Sequence, residues 1–375
     1  MKKIVFLALL FVVLTGAFAQ TQWMVNNTAS WQAALNGISS GGNNKTHTVT
    51  VSGTVSVPGT RQSLFGDATG ITVTLQGSGT LALSSAGILL AIGGGKTVVV
   101  RDLTLQGIRD NDLPVVSIIG GGTFHMEGSA SIKGNNGSSG GICVVGGTFT
   151  MEGGTISGNT TATARGSIDG CGVWVNNGGT FIMRGGTISG NTTGGSGGGV
   201  GVGESGTFTM EGGTISGNTA TNWSADGDSM PGEGGGVHIR RGGPFTMRGG
   251  SISGNRVGRE DWGYGNGGGV SVYGTFYMEG GTIGGNISNT NSVSGGAGGG
   301  VYVLYPGTFI KTGGTIYGSN ETNAALRNSS HEGHAVYFRG YFRDTTLPAN
   351  ASGNISTPVA LPTASGQTLN NWTRR

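Results

Sequence analysis

Apolar and polar residues alternate in short runs along most of this chain, and the runs take three recurring forms. One is Val-x-Val, as at Val200 and Val202. One is Phe-x-Met, as at Phe149 and Met151. One is Ile-x-Gly-Asn, as at Ile156 and Asn159. Alternation with period two predicts β-strands that turn the named apolar residues to one face. Residues 28–38 differ: Trp31, Ala34, Leu35 and Ile38 fall at helical spacing. A short amphipathic helix is predicted there, with Thr28 or Ser30 as N-cap.

The three runs belong to one unit, clearest from Gly147 to Asn159: Gly-Thr-Phe-Thr-Met-Glu-Gly-Gly-Thr-Ile-Ser-Gly-Asn. It returns at residues 179–191, 206–218, 243–255, 274–286 and, shifted by one residue, 307–320; a degenerate copy spans 122–135. A Gly-Gly-Gly-Val-x-Val signature lies ahead of it in the later copies. The phenylalanines at 124, 149, 181, 208, 245, 276 and 309 are spaced by 25, 32, 27, 37, 31 and 33 residues. The variation lies almost wholly between the Asn and the next Gly-Gly-Gly-Val.

Three short strands separated by glycine corners make one triangular coil, which cannot bury its inner face alone. Stacked coils pair their strands in parallel at about 4.8 Å per coil and enclose a continuous core. The expected fold is all-β: a single right-handed parallel β-helix solenoid of roughly ten coils with a short N-terminal capping helix. Stacking predicts interior ladders: Phe149, Phe181, Phe208, Phe245, Phe276, Phe309, and Ile156, Ile188, Ile215, Ile252, Ile283, Ile316. It also predicts a corner ladder of Asn159, Asn191, Asn218, Asn255 and Asn286, bonded through their amides.

Residues 1–19 read as a secretory signal. Lys2 and Lys3 precede an apolar run too short for a stable membrane anchor, and Ala17-Phe18-Ala19 is a small-x-small cleavage site. The predicted organisation is a signal peptide (1–19), an N-terminal cap with the amphipathic helix (20–44), the β-helix (45–338) and a C-terminal cap or tail (339–375). The mature chain is expected outside the cytoplasm: extracellular, on the cell surface or periplasmic. Its net charge falls from +3 to +1 when the two leader lysines leave, so no nucleic-acid partner is expected.

Composition then fits the coils. Glycine supplies 81 of 375 residues, and charged residues only 10%. Collagen would need glycine at every third position, and flexible linkers would lack the regularly placed Val, Ile and Thr. A charged disordered chain and a disulfide scaffold are excluded by the low charge and by two cysteines. Cys143 and Cys171 lie in neighbouring coils, offset along the strand by about 10 Å, beyond disulfide reach unless the corner bends them together.

The Gly-Gly-Gly-Val and Ile-Ser-Gly-Asn pair resembles the GGA(I/V) and FxxN repeats of chlamydial polymorphic outer membrane proteins. The whole unit is similar to exported spirochaete proteins built of GGTFTMEGGTISGNT repeats. Over roughly residues 45–338 the chain looks like bacterial right-handed β-helix repeat proteins, the pectin-lyase-like superfamily. The resemblance implies a right-handed β-helix and, from the chlamydial passengers, an adhesin-like role. Those proteins carry a C-terminal outer-membrane barrel that the tail is too short to supply, so self-transport is not expected.

Candidate chemistry is sparse. In coil register Glu127, Glu152, Arg184, Glu211, Arg248, Glu279 and Thr312 form one row. Glu127 and Glu152 could be read as a catalytic carboxylate pair, but the arginines make a solvated ion-pair ladder the expected reading. The central residue of Val-x-Val points outward, giving Cys143, Trp174, Gly201, His238, Ser271, Tyr302 and Tyr337. Trp174, His238, Tyr302 and Tyr337 could hold a sugar chain or a partner, against the alternative of scattered surface aromatics.

The longest insertions, 219–233 and 256–266, emerge at one corner and carry Trp223, Asp226, Asp228, Trp262 and Tyr264. Loops that vary on a repeating scaffold are where binding concentrates. Asp226 and Asp228 fall short of a calcium ligand set. His331 and His334 lack a metal-binding spacing. No metal or cofactor site and no catalytic set is expected, and a monomer is. The function expected is an exported adhesin-like scaffold binding a glycan or an extracellular protein without catalysis. A polysaccharide lyase or glycoside hydrolase on this fold, and a purely structural envelope protein, are the alternatives.

Overall fold

The structure is a computed structural model. It describes residues 21–161, 170–221, 223–225, 228–230, 232–258, 265–288, 296–318, 321–331, 333–339 and 371–372, with the backbone alone at 223–225, 228–230 and 371–372. The predicted signal segment lies outside the described residues.

Alternation becomes sheet by stacking. The Phe-x-Met runs form a twelve-stranded first sheet, the Ile runs a ten-stranded second sheet, and the Val-x-Val runs a nine-stranded third sheet. From Thr46–Val51 onward, and apart from the hairpin at 223–230, consecutive strands along the chain belong to different sheets. Each strand pairs in parallel with its equivalents one coil before and one coil after, as Thr148–Met151 does with Thr180–Met183. The fold is therefore a parallel β-helix solenoid, with ten coils counted along the second sheet. Among the described residues three pairings are antiparallel: the hairpin of Trp223–Ala225 with Asp228–Met230, Asn371–Trp372 on Thr308–Lys311, and the isolated bridge between Thr60 and Ile88.

Register brings like residues together. Phe124, Phe149, Phe181, Phe208, Phe245, Phe276 and Phe309 lie in one buried column, with ring centroids 4.5 to 5.4 Å apart. That separation is the strand spacing itself, so the pleat sets the stacking distance. Ile132, Ile156, Ile188, Ile215, Ile252, Ile283 and Ile316 make a second column. Met126, Met151, Met183, Met210, Met247 and Met278 make a third, and Lys311 occupies its next position. The buried Lys311 ammonium donates to the Gly314 carbonyl at 2.8 Å, and burial lowers its pKa.

The corner asparagines form a continuous buried chain from Asn111 to Asn328. From Asn159 to Asn286, each donates its side-chain amide and its backbone N–H to the Oδ1 of the next, at 2.9 to 3.1 Å. The same amides also donate to carbonyls of earlier coils, such as Asn191 Nδ2 to Ile156 O at 3.0 Å. The predicted ladder thus holds, and it runs further at both ends through Asn111, Asn135 and Asn328.

Glycine works at two recurrent corners. The first glycine of each triplet, at 197, 234, 267 and 298, has φ of 63 to 70°, a region closed to most L-residues. The last glycine of the triplet allows close backbone approach. A Cβ at Gly236 would lie 2.7 Å from the Gly269 carbonyl oxygen and 2.8 Å from Ile252 Cγ2.

Three features differ from expectation. A strand, β1 (Thr21–Val25), precedes the helix and pairs in parallel with Thr46–Val51, extending the first sheet. Helix α1 (Thr28–Ser40) is capped by Asn27 rather than by Thr28 or Ser30. The Asn27 side chain accepts from Ser30 N–H, and the Ser30 hydroxyl accepts from the Asn27 N–H, a reciprocal capping box. Trp31, Ala34 and Ile38 are buried, with Leu35 packed beside them. A short fourth sheet of five two-residue strands follows the asparagine corner, so these coils have four sides instead of three.

Candidate functional site

The outward row of the third sheet is in register as read: Cys143, Trp174, Gly201, His238, Ser271, Tyr302 and Tyr337 occupy one column. It is not an exposed platform. Trp174 is 7% exposed, His238 6% and Tyr302 1%, and Tyr337 is half-buried. The reason lies in a second outward column, one residue past the Val-x-Val runs. There Arg240, Tyr273 and Arg339 carry side chains long enough to fold back over the first column. The Arg240 guanidinium lies 5.4 Å from the Trp174 ring centroid, Tyr273 meets His238 edge-on at 5.5 Å, and Arg339 hydrogen-bonds the Tyr302 hydroxyl. Tyr302 and Tyr337 stack at 5.9 Å.

The insertion between coils supplies the other half of the site. Residues 219–233 return to the solenoid through Gly232–Glu233, which pairs in parallel with Gly265–Asn266. This pairing sets the Glu233 carboxylate, 9% exposed, against the outer face of the third sheet. Tyr273 donates to Glu233 Oε1 at 2.5 Å and Ser271 to Oε2 at 3.4 Å; Asn266 also donates, and His238 Nδ1 lies 3.8 Å from Oε2. Burial raises the Glu233 pKa, and these neighbours oppose the rise. Burial and then the Glu233 charge raise the Tyr273 pKa, and Tyr302 is pushed up to about 12, chiefly by burial.

Beside this cluster opens a cleft of about 430 Å³, lined by Trp174, Asn176, Asn177, Glu204, Glu233, His238, Arg240, Arg241 and Tyr273. The lining comes from four consecutive coils, a reach of about 14 Å at the usual strand spacing. Its volume falls within the range of ligand sites. Its chemistry mixes planar rings with guanidinium and amide donors and two carboxylate acceptors.

Two predicted elements meet here: the aromatic row gives Trp174 and His238, and the insertion gives Glu233 at its base. Tyr302 and Tyr337 join the same buried network without lining the cleft. Of the loop residues, Asp226, Trp262 and Tyr264 lie outside the described residues, and Trp223 and Asp228 are described only as backbone of the hairpin. Glu204, Arg240, Arg241, Tyr273, Asn176 and Asn177 lie one or two positions past the Val-x-Val triplet, beyond what its alternation predicts. Taking the register one or two positions further would have found most of them.

Other candidates resolve as structure. Arg184 bridges Glu152 and Glu211 at 2.7 and 3.0 Å, Arg248 bonds Glu279 at 3.1 Å, and Glu127 pairs with Arg101. Both cysteines are free, and the Cys171 thiol donates to the Asn159 carbonyl at 3.0 Å. Among the described residues no group of three His, Cys, Asp or Glu is placed to hold a metal ion, and no helix is long and apolar enough to cross a membrane.

The fold defines the class: a parallel β-helix solenoid with a polar, aromatic cleft on one outer sheet. Compared with protein-family models, curated proteins and solved structures, the chain finds no match in any of the three.

Proposed function

We propose that the chain is an exported β-helix scaffold of the pectin-lyase-like kind that binds an extracellular glycan in the cleft on its third sheet, without catalysis. The observation that carries this reading is the cleft lining. Trp174, His238 and Tyr273 supply ring edges and faces, while Arg240, Arg241, Asn176 and Asn177 supply donors and Glu204 and Glu233 acceptors. Sugars present apolar ring faces and rows of hydroxyls, and such a lining matches both. The signal-like N-terminus and the resemblance to chlamydial and spirochaete surface repeats support export and an adhesin-like role.

The test is a glycan and matrix-protein array probed with the mature chain and with an Arg240→Ala/Arg241→Ala variant. Glycan binding by the wild type, lost in the variant, is the expected result. Retention of glycan binding by the variant would move the site elsewhere. Binding to matrix proteins alone would make the ligand a protein, and no binding at all would favour a structural envelope role.

One observation favours a second reading, polysaccharide cleavage. Glu233 is a buried carboxyl with a raised pKa beside Tyr273 and His238, an environment suited to general acid–base work. Against it, Glu233 is held by Tyr273, Ser271 and Asn266, as a positioning group would be. Release of unsaturated or reducing sugar ends from a panel of uronic-acid polymers would establish this second reading.

A further inference from the structure

We propose that the cleft is proton-linked: Glu233 takes up a proton when the cleft binds an anionic group, so an acidic ligand is held more tightly as pH falls. This rests on reading the cleft as a glycan site and concerns how that site is regulated.

The placement carries the argument. Glu233 is a buried carboxylate in the wall of a cleft whose only other described acid is Glu204, while Arg240 and Arg241 are its cations. With both acids ionised the four formal charges cancel. With Glu233 neutral the lining carries a net positive charge. The groups facing Glu233 are Tyr273 and Ser271 on the third sheet, His238 on the strand before it, and Asn266 on the paired segment, with Tyr302 one coil on. Among the described residues none is a lysine or arginine in contact; the charge of His238 favours the ionised form, and burial outweighs it. Burial already disfavours its charged form.

An anion bound alongside would disfavour that form further. The complex would then hold a proton more firmly than the free protein does. A bound state that binds more protons than the free state gains affinity as pH falls, by no more than about tenfold per pH unit for one proton.

The experiment is titration calorimetry of the mature chain at pH 7.5 and pH 5.0. The probes are a uronic-acid tetrasaccharide and its carboxyl-reduced, uncharged counterpart. The expected result is at least a fivefold tighter Kd for the acidic sugar at the lower pH and a flat response for the reduced one. Glu233→Gln should bind the acidic sugar equally at both pH values and at least as tightly as wild type at pH 7.5. Glu204→Gln should keep the slope. Heat measured in two buffers of different ionisation enthalpy should show proton uptake for wild type and none for Glu233→Gln. Equal binding of both sugars at both pH values, or an unchanged slope in Glu233→Gln, overturns the proton linkage and leaves the glycan site standing. No binding of either sugar at either pH overturns this inference for acidic glycans, while the array alone decides the glycan reading.

Discussion

Asn159 gives both its backbone N–H and its side-chain amide to the single Oδ1 of Asn191, at 3.1 and 2.9 Å, inside a corner where neither residue is exposed. The next coil repeats the arrangement, so the corner is a polar chain held wholly by itself and by neighbouring carbonyls. From Asn159 to Asn286 every member donates to the next coil and accepts from the one before.

Asn218→Ala should therefore cost more than one hydrogen bond. It strips the acceptor from two Asn191 donors and the donor from the Ile188 carbonyl. Buried groups left unpaired cost about 1–3 kcal/mol each, so a loss of about 2–4 kcal/mol is expected. Because coils stack in one dimension, the loss should be local. Hydrogen exchange should rise first in the coils containing Asn191, Asn218 and Asn255, with the terminal coils little changed.

Gly236→Ala should destabilise by steric means. The new methyl would meet the Gly269 carbonyl and the Ile252 side chain at under 3 Å. Overpacking of this kind costs about 1–3 kcal/mol, and a lowered denaturation midpoint checks it. Gly42, whose Cβ would meet nothing within 4 Å but whose φ is +81°, separates strain from crowding when substituted alike.

Arg184→Ala should leave the melting midpoint within experimental error, although Arg184 makes two ion pairs. Its partners Glu152 and Glu211 are as solvated as it is, and exposed pairs are weak and screened by salt. A large drop at 0.15 M salt would show the ladder to be structural.

The N-terminal cap should loosen in acid. His47 faces the core in the column of Val73, Val98 and Phe124, is 2% exposed, and has no hydrogen-bond partner for either ring nitrogen among the described residues. Burial, then Lys45, lowers its pKa below 6.5. The unfolded chain thus takes up the proton first. Stability is full above about pH 6.5 and declines as pH falls below it, until the lowered native value is passed. Exchange of α1 and Thr46–Val51 amides, corrected for intrinsic rate, should rise between pH 7.5 and 5.0, and His47→Leu should abolish the rise.

The thiols should be inert. Burial pushes Cys171 up to about 12 and Cys143 up to about 11, and neither is in a disulfide. A thiol reagent at pH 8 should label neither until denaturant is added, and reductant should not shift the melting midpoint.

The ladders were legible because identical residues recur at identical offsets: once Phe149 and Phe181 are aligned, their pairing follows from period two. Two things were not, and a third was only in part. Strand β1 has no repeat to betray it, and Thr21–Val25 is a strand only because Thr46–Val51 offers an edge. The fourth side of the coil is two residues long, too short for alternation to register. The cleft was half legible. Trp174 and His238 lie at repeat positions, but Glu233 and Tyr273 meet across 40 residues of sequence, through an insertion whose path no periodicity sets. Alternation predicts an exposed row because it reports which way a side chain leaves the sheet, not what folds over it.

The central claim is that binding belongs to the outer face of the third sheet. Its most direct test is a hydrogen-exchange footprint of the mature chain with the glycan the array selects. Slowed exchange in peptides covering 173–177, 232–241 and 270–274, with the second sheet unchanged, is the predicted result. Protection confined to the second sheet or to the ion-pair ladder, with those peptides unaffected, would contradict it.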